Sequence, residues 1–166
     1  MAIREVLVFP DARLKEISTQ VNLSDSQLQE ILQDLEDTLE HSPGTVGLAA
    51  PQLGISKRIV LIDATKTKKP VDNHGRLFLI NPVITATSGS ATAREGCLSL
   101  PDLTANVARA ENITIEFETL NGEKQSFDTN HFEARLIQHE VDHLDGILFL
   151  DRVSCLKTDV FRRKRY

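Results

Sequence analysis

The sequence predicts an α+β fold, and three observations carry that expectation. An amphipathic helix stands early in the 166 residues, a helix apolar on several sides stands late, and strand-type segments with a hairpin lie between them. The early helix is expected over 24–41, where Leu28, Ile31, Leu32, Leu35 and Leu39 form one stripe. Ser24 with Gln27 offers a capping box, Pro43-Gly44 ends the helix, and its acidic outer face reads as solvated. Arg58 to Asp63 and Leu77 to Asn81 read as short buried strands. The polar stretch Lys66 to Gly75 reads as a loop with an exposed His74. Ile113, Ile115 and Phe117 alternate with polar residues, and Asn121-Gly122 turns the chain into a second strand over Lys124 to Asp128. The late helix is expected over 131–145, with Phe132, Leu136, Ile137, Val141 and Leu144 spread around it, so it should be central and buried; Gly146 ends it.

The length fits one domain, 1–166, with no internal repeat, low-complexity segment or linker. Hydrophobic content of 40% and charged content of 26% are ordinary for a soluble protein. The amino terminus has only a short apolar run with an early Glu5 and does not read as a secretory signal, and no stretch reaches membrane-spanning length. Two cysteines argue against a disulfide framework and fit a reducing cytoplasm. Net charge of -5 argues against DNA or general nucleic-acid binding, yet 157–166 carries Lys157, Arg162, Arg163, Lys164 and Arg165 against Asp159. Such a tail is either a solvated terminus or an arm for a polyanion.

The chemistry concentrates in Gln138-His139-Glu140-Val141-Asp142-His143. On a helix, His139 and His143 are four apart and share a face, close enough to bind one ion. Glu140 is offset, placed to handle the protons of a water rather than to ligate. A catalytic site of this kind takes a third protein ligand. The extended H-E-x-x-H-x-x-G-x-x-H pattern would need a histidine at Phe149 and a methionine turn, but the sole methionine is Met1. No glutamate follows Glu140, so the third ligand should come from upstream.

Upstream lies Arg94-Glu95-Gly96-Cys97-Leu98-Ser99-Leu100-Pro101. A free thiol is most often a buried packing residue. Here two histidines want a partner, and a Cys97–His139–His143 set with one open position suits zinc, iron(II), cobalt or nickel. Cys155 reads as a packing residue. A third segment, Gly44-Thr45-Val46-Gly47-Leu48-Ala49-Ala50-Pro51-Gln52, crowds small residues that let a substrate or a strand approach the backbone, and Gln52 can donate a hydrogen bond into that space.

Taken in order and with their separations, Gly47-Leu-Ala-Ala-Pro-Gln52, Glu95-Gly-Cys-Leu-Ser99 and Gln138-His-Glu-Val-Asp-His143 resemble peptide deformylase, from the amino-terminal Val-Leu-Val-Phe-Pro to about Asp151. Two departures stand out. Thr45 occupies the place of the first glycine of the family's Gly-x-Gly, and the arginine that many bacterial members carry near Thr104 is missing.

The resemblance implies mixed, mainly antiparallel sheets packed around a central metal-bearing helix. It implies hydrolysis of the formyl group from the formyl-methionine of new polypeptides, with one divalent ion on Cys97, His139 and His143, iron(II) in the cell. Glu140 would shuttle the proton, while the Leu98 backbone N–H and the Gln52 amide would receive the developing oxyanion. Val46, Gly47, Leu98, Leu136 and His139 would line the methionine pocket. Gln138 and Asp142 would support the ligands, and Glu95 would pair with Arg109. The implied partners are nascent formyl-methionyl peptides and, through the basic tail, the ribosome. Two rivals share the ligands: another metallopeptidase or amidase cutting internal bonds, and a non-catalytic metal-stabilised binding module.

Overall fold

The structure, a computed structural model, describes residues 3–163. Among these residues, eight strands and three α-helices are arranged as two antiparallel sheets with one long helix at their junction. The first helix, α1, spans Leu28–Glu40, and the metal-motif helix, α2, spans His131–Leu144. Strands β1 (Gly47–Ala49), β2 (Ile59–Asp63), β3 (Arg76–Ser88), β6 (Asn112–Glu118) and β7 (Lys124–Asn130) form a five-stranded sheet in the order β1-β2-β3-β6-β7. Strands β4 (Ala91–Cys97), β5 (Leu100–Arg109) and β8 (Val160–Arg162) form a three-stranded sheet in the order β4-β5-β8. A four-residue helix, α3 (Leu156–Asp159), leads into β8.

The five-stranded sheet is covered on both faces, which explains its strand sequences. Val60 and Ile62 of β2 point into a core with Ala134, Leu136, Ile137, Val141 and Leu144 of α2. Ile59 and Leu61, one residue out of phase, point into a second core with Leu28, Ile31, Leu32, Leu35 and Leu39 of α1. All five residues of β2 are buried, and the first four, Ile59–Ile62, read as an unbroken apolar run rather than an alternation. Each such side chain contributes about 2 kcal/mol relative to exposure. The smaller sheet packs Cys97, Leu100, Ala105 and Val107 against Leu14, Leu148 and Phe149.

Several expectations are corrected. The first helix begins at Leu28, not near Ser24, and no side chain caps it. Asn22 Oδ1 accepts from the Ser24 N–H and hydroxyl, and Asp25 Oδ1 accepts from the Gln27 N–H, so this stretch closes local turns instead of a capping box. The acidic face is not uniformly solvated: Asp34 is buried and paired with Arg4. His74 is exposed as expected, but its ring stacks on Phe127 and its Nδ1 meets the buried carboxylate of Glu133. The strand at Leu77 continues to Ser88, with an irregularity between Ile80 and Val83 that Asn81 (φ 49°) and Pro82 mark. The hairpin at Asn121-Gly122 and the end of α2 before Gly146 (φ 71°) match their expected places.

The second sheet has no counterpart among the expected elements. The basic tail is not wholly a loose terminus, because β8 pairs Val160, Phe161 and Arg162 with Ala105, Thr104 and Leu103 of β5. Lys164 and Arg165, the rest of that charge run, lie outside the described residues.

Candidate active site and metal centre

Three segments converge where the two sheets meet α2. The strand β1 leads into a 3-10 turn over Ala50–Leu53, which folds Gln52 back so that its Oε1 accepts from the Ala49 N–H at 3.0 Å. Its Nε2 then points to Cys97 Sγ at 3.4 Å and Ser99 Oγ at 3.1 Å. The β4–β5 register shifts between Gly96 and Cys97, and Leu98-Ser99 makes the turn, which sets Cys97 at the tip of the hairpin facing α2.

From α2 the two imidazoles project side by side, with ring centroids 5.3 Å apart. Ligand atoms of Cys97, His139 and His143 all lie within 4.8 Å of one another, and all three residues are buried. Cys97 Sγ is 3.4 Å from His143 Nε2. One soft sulfur and two imidazole nitrogens converging away from water form a donor set that fits a divalent transition ion.

The electrostatics fit the same use. Burial, together with the charges of His139 and Arg109, holds His143 well below the usual histidine pKa, keeping it as the neutral imidazole that a ligand must be. Burial also opposes charging His139, but hydrogen bonds to the Cys97 sulfur and to Glu95 outweigh it and raise its pKa well above the usual value. A proton and a metal ion therefore compete for this ring. Glu140 is 4% exposed, and burial pushes its carboxyl up to about 7. Its Oε1 has no hydrogen-bond partner among the described residues. A carboxyl buried, unpartnered and poised near neutrality is equipped to take and return a proton.

Around the ligands runs a network of buried ion pairs. Glu95 accepts from His139 Nδ1 at 2.8 Å, from Arg109 through both oxygens at 2.7 and 2.9 Å, and from Arg135 at 2.7 Å. Arg109 also reaches Asp142 at 2.8 Å, and Arg152 grips Asp142 from outside. Burial opposes charging the Glu95 carboxyl, but the hydrogen bonds and charges of His139 and Arg109 outweigh it and hold the group far below its ordinary range. The Glu95–Arg109 pair matches the sequence reading. Asp142 reaches the ligands only through Arg109 and Glu95, and Gln138 ties α2 to the backbone N–H and C=O of Ala110; neither bonds to any of the three cluster residues. Arg135 was missed, although its place four residues before His139 puts it on the same helix face.

A cavity of about 250 Å³ opens beside the cluster, lined on one wall by Val46, Gly47 and Gln52 and on the other by Glu95, Cys97 and Leu98. Leu136, His139 and Glu140 form its floor, so Val46, Gly47, Leu98 and Leu136 come together as expected. His143 lies behind the others, 1% exposed. Gly47 has a specific cause: a Cβ there would stand 2.7 Å from both Glu140 Oε2 and Leu136 Cδ1. The close approach that the small-residue run permits is thus by α2 side chains. Three further lining residues, Arg94, Phe132 and Arg163, were not expected at the site from the sequence.

Comparison with known proteins agrees with this arrangement. The family described as Polypeptide deformylase matches residues 3–159. The chain is 39% identical over 164 residues to a peptide deformylase of Acidobacterium capsulatum, covering 99% of this chain and 94% of that one. A crystal structure of a peptide deformylase from Legionella pneumophila superposes with a TM-score of 0.84 at 38% identity, covering 94% of this chain and 89% of that one. A Met-Ala-Ser-bound peptide deformylase from Acinetobacter baumannii superposes with a TM-score of 0.84 at 33% identity, covering 92% and 100%. With the profile matched over nearly its whole length and relatives well above 30% identity, the chain belongs to the polypeptide deformylase family.

Proposed function

We propose that this protein is a metal-dependent hydrolase that removes the formyl group from the amino-terminal formyl-methionine of newly made polypeptides, acting as a single catalytic domain. The observation that carries the reading is the buried Cys97–His139–His143 cluster with unpartnered Glu140 beside it, opening into a cavity of about 250 Å³. Cys97, His139 and His143 would hold the ion, which when bound supplies Lewis acidity to a water and to the formyl oxygen. Glu140 accepts the proton released as water adds to the formyl carbon. It then delivers that proton to the amine nitrogen as the C–N bond breaks, leaving formate and a free methionine amine. The Gln52 amide and the Leu98 backbone N–H flank Cys97 and serve as donors to the oxygen that gains charge. Val46, Gly47, Leu98 and Leu136 enclose the methionine side chain in mainly apolar surface.

The native ion in this reading is iron(II), which the family resemblance implies; the same donor set would also hold zinc, nickel or cobalt. An iron–thiolate site loses activity in air, whereas a zinc one persists. No helix among the described residues is long and apolar enough to cross a membrane, and the reading places the protein in the cytoplasm, where nascent chains emerge. Exposed Lys157 and Arg162 support docking to the ribosome by salt-sensitive attraction. Co-sedimentation with ribosomes at low and high salt, with K157A/R162A as control, tests that part.

The deciding experiment is anaerobic purification with metal analysis, followed by assay on formyl-Met-Ala-Ser, Met-Ala-Ser and an internal-peptide substrate. Formate release from the first alone is expected. Cleavage of the internal peptide would overturn the reading in favour of a peptidase.

A further inference from the structure

We propose that Arg135 is a positioning residue for the metal centre. It clamps the β4–β5 hairpin, which carries Cys97, onto α2, which carries both histidines, and so sets the gap between sulfur and imidazoles. The proposal rests on the metal-dependent reading above and deepens it.

The need for a clamp follows from the packing. The apolar side chains that α2 buries belong to the core of the five-stranded sheet. Cys97 belongs to a different core, with Leu100, Ala105 and Val107 of its own hairpin. The proposed ligands are therefore drawn from two packing units, and apolar burial within each does not fix the gap between them. The His139 ring faces Phe149 of the second core at 6.2 Å between centroids, a loose link across that gap. Cys97 also lies at the hairpin tip, past a register shift after Gly96, so its place depends on how the strands behind it are held.

Arg135 holds those strands from α2. Its Nη1 donates to Glu95 Oε2 at 2.7 Å and to the Val107 carbonyl at 2.8 Å, and its Nη2 donates to the Ala91 carbonyl at 2.6 Å. Ala91 and Glu95 belong to β4 and Val107 to β5, so one fork grips both strands. The neighbouring ties bind elsewhere: Arg109 to Asp142, His139 to Glu95, and Gln138 to Ala110, the residue after β5. Charge balance does not account for Arg135. Arg109 already donates to both oxygens of Glu95, and the other Arg135 bonds go to neutral carbonyls. Acceptors on two strands suit a planar fork with two terminal nitrogens, which lysine lacks. The Arg135 side chain is 12% exposed, so water competes weakly for these bonds. Arg135 precedes His139 by about one helical turn, so the clamp acts where α2 presents its first imidazole.

The test uses R135Q, R135K and L14A in the full chain, each stripped and reloaded with cobalt(II) without oxygen. Chelator competition reads the affinity, and the sulfur-to-cobalt absorption reads ligation by Cys97. R135Q should lose about 10- to 100-fold in cobalt affinity, the range for removing a group that supports a ligand, and its sulfur absorption at saturation should weaken. The tip keeps its bonds to Gln52 and to the Phe9 N–H, so the hairpin itself should stay formed. R135K keeps a cation beside Glu95 but offers one nitrogen in place of two, and should fall between R135Q and wild type. L14A loosens the core that holds Cys97 without touching the clamp, so it should lower the unfolding midpoint yet leave affinity and absorption near wild type. Wild-type affinity and absorption in R135Q, or in R135K should R135Q fail to fold, would overturn the clamp. So would an equal loss in L14A, which would reduce the effect of Arg135 to general loosening. Wild-type protein that takes up cobalt without sulfur absorption would overturn the metal reading itself, and the clamp with it.

Discussion

Glu95 Oε1 lies 2.8 Å from His139 Nδ1, so one carboxylate sets the orientation of a proposed metal ligand while it is itself held by two arginines. With its proton on Nδ1, the ring presents Nε2 towards the cluster. Glu95→Gln keeps the shape but removes the charge that balances buried Arg109. Metal affinity, measured by competition with a chelator, should fall about 10- to 100-fold. Denaturant unfolding of the metal-free protein should show a loss of about 3 kcal/mol. Unchanged affinity would mean that Glu95 acts on the fold alone.

Glu140→Gln should keep the fold and the metal, because its carboxyl is not in the three-residue cluster. Turnover of formyl-Met-Ala-Ser should fall by about two to four orders of magnitude with loss of the proton carrier. Near-normal kcat in the metal-loaded variant would remove Glu140 from the mechanism.

The two cysteines should behave as opposites. Cys97 is buried at the cluster, whereas Cys155, expected from the sequence to be a packing residue, is exposed before α3. Cys97→Ser replaces a thiolate with a poor ligand, so bound metal and deformylation should both drop sharply. Cys155→Ser should change neither. Metal stoichiometry on protein kept free of oxygen checks both, and a metal-free Cys155→Ser would show that the cluster is misassigned.

Gly47→Ala would force a Cβ against Glu140 Oε2 and Leu136 Cδ1, each 2.7 Å away. The side chains must shift, and displacement of a catalytic group by about 1 Å costs on the order of a hundredfold in rate. We expect kcat to fall by about 10- to 100-fold while metal content stays normal. Retained kcat would show that Glu140 has slack the packing does not suggest.

The legible part of the molecule was the part governed by local spacing. Leu28 to Leu39 and His139 to His143 declare themselves because helix neighbours recur every three or four residues, and the Asn121-Gly122 hairpin because its turn chemistry is local. Cys97 could be tied to the histidines only by the need for a third ligand. The second sheet stayed hidden because β4, Ala91–Cys97, is largely exposed and poor in β-branched residues. The strand β8 stayed hidden because a lysine- and arginine-rich end resembles a solvated terminus, yet Val160 and Phe161 find partners across the sheet in Ala105 and Thr104. Arg163 comes to line the cavity only through that pairing, a long-range fact no local pattern encodes. Thr45, where the family carries glycine, lines the cavity without disturbing the cluster behind it.

Because β2 has helices packed over both faces and strands along both edges, its amides have no local route to water. Their deuterium uptake must wait for the whole molecule to open, so these five residues act as an internal clock for global unfolding. Comparing that clock in metal-loaded and metal-stripped protein would read out how far the occupied centre, outside β2 itself, braces the entire chain.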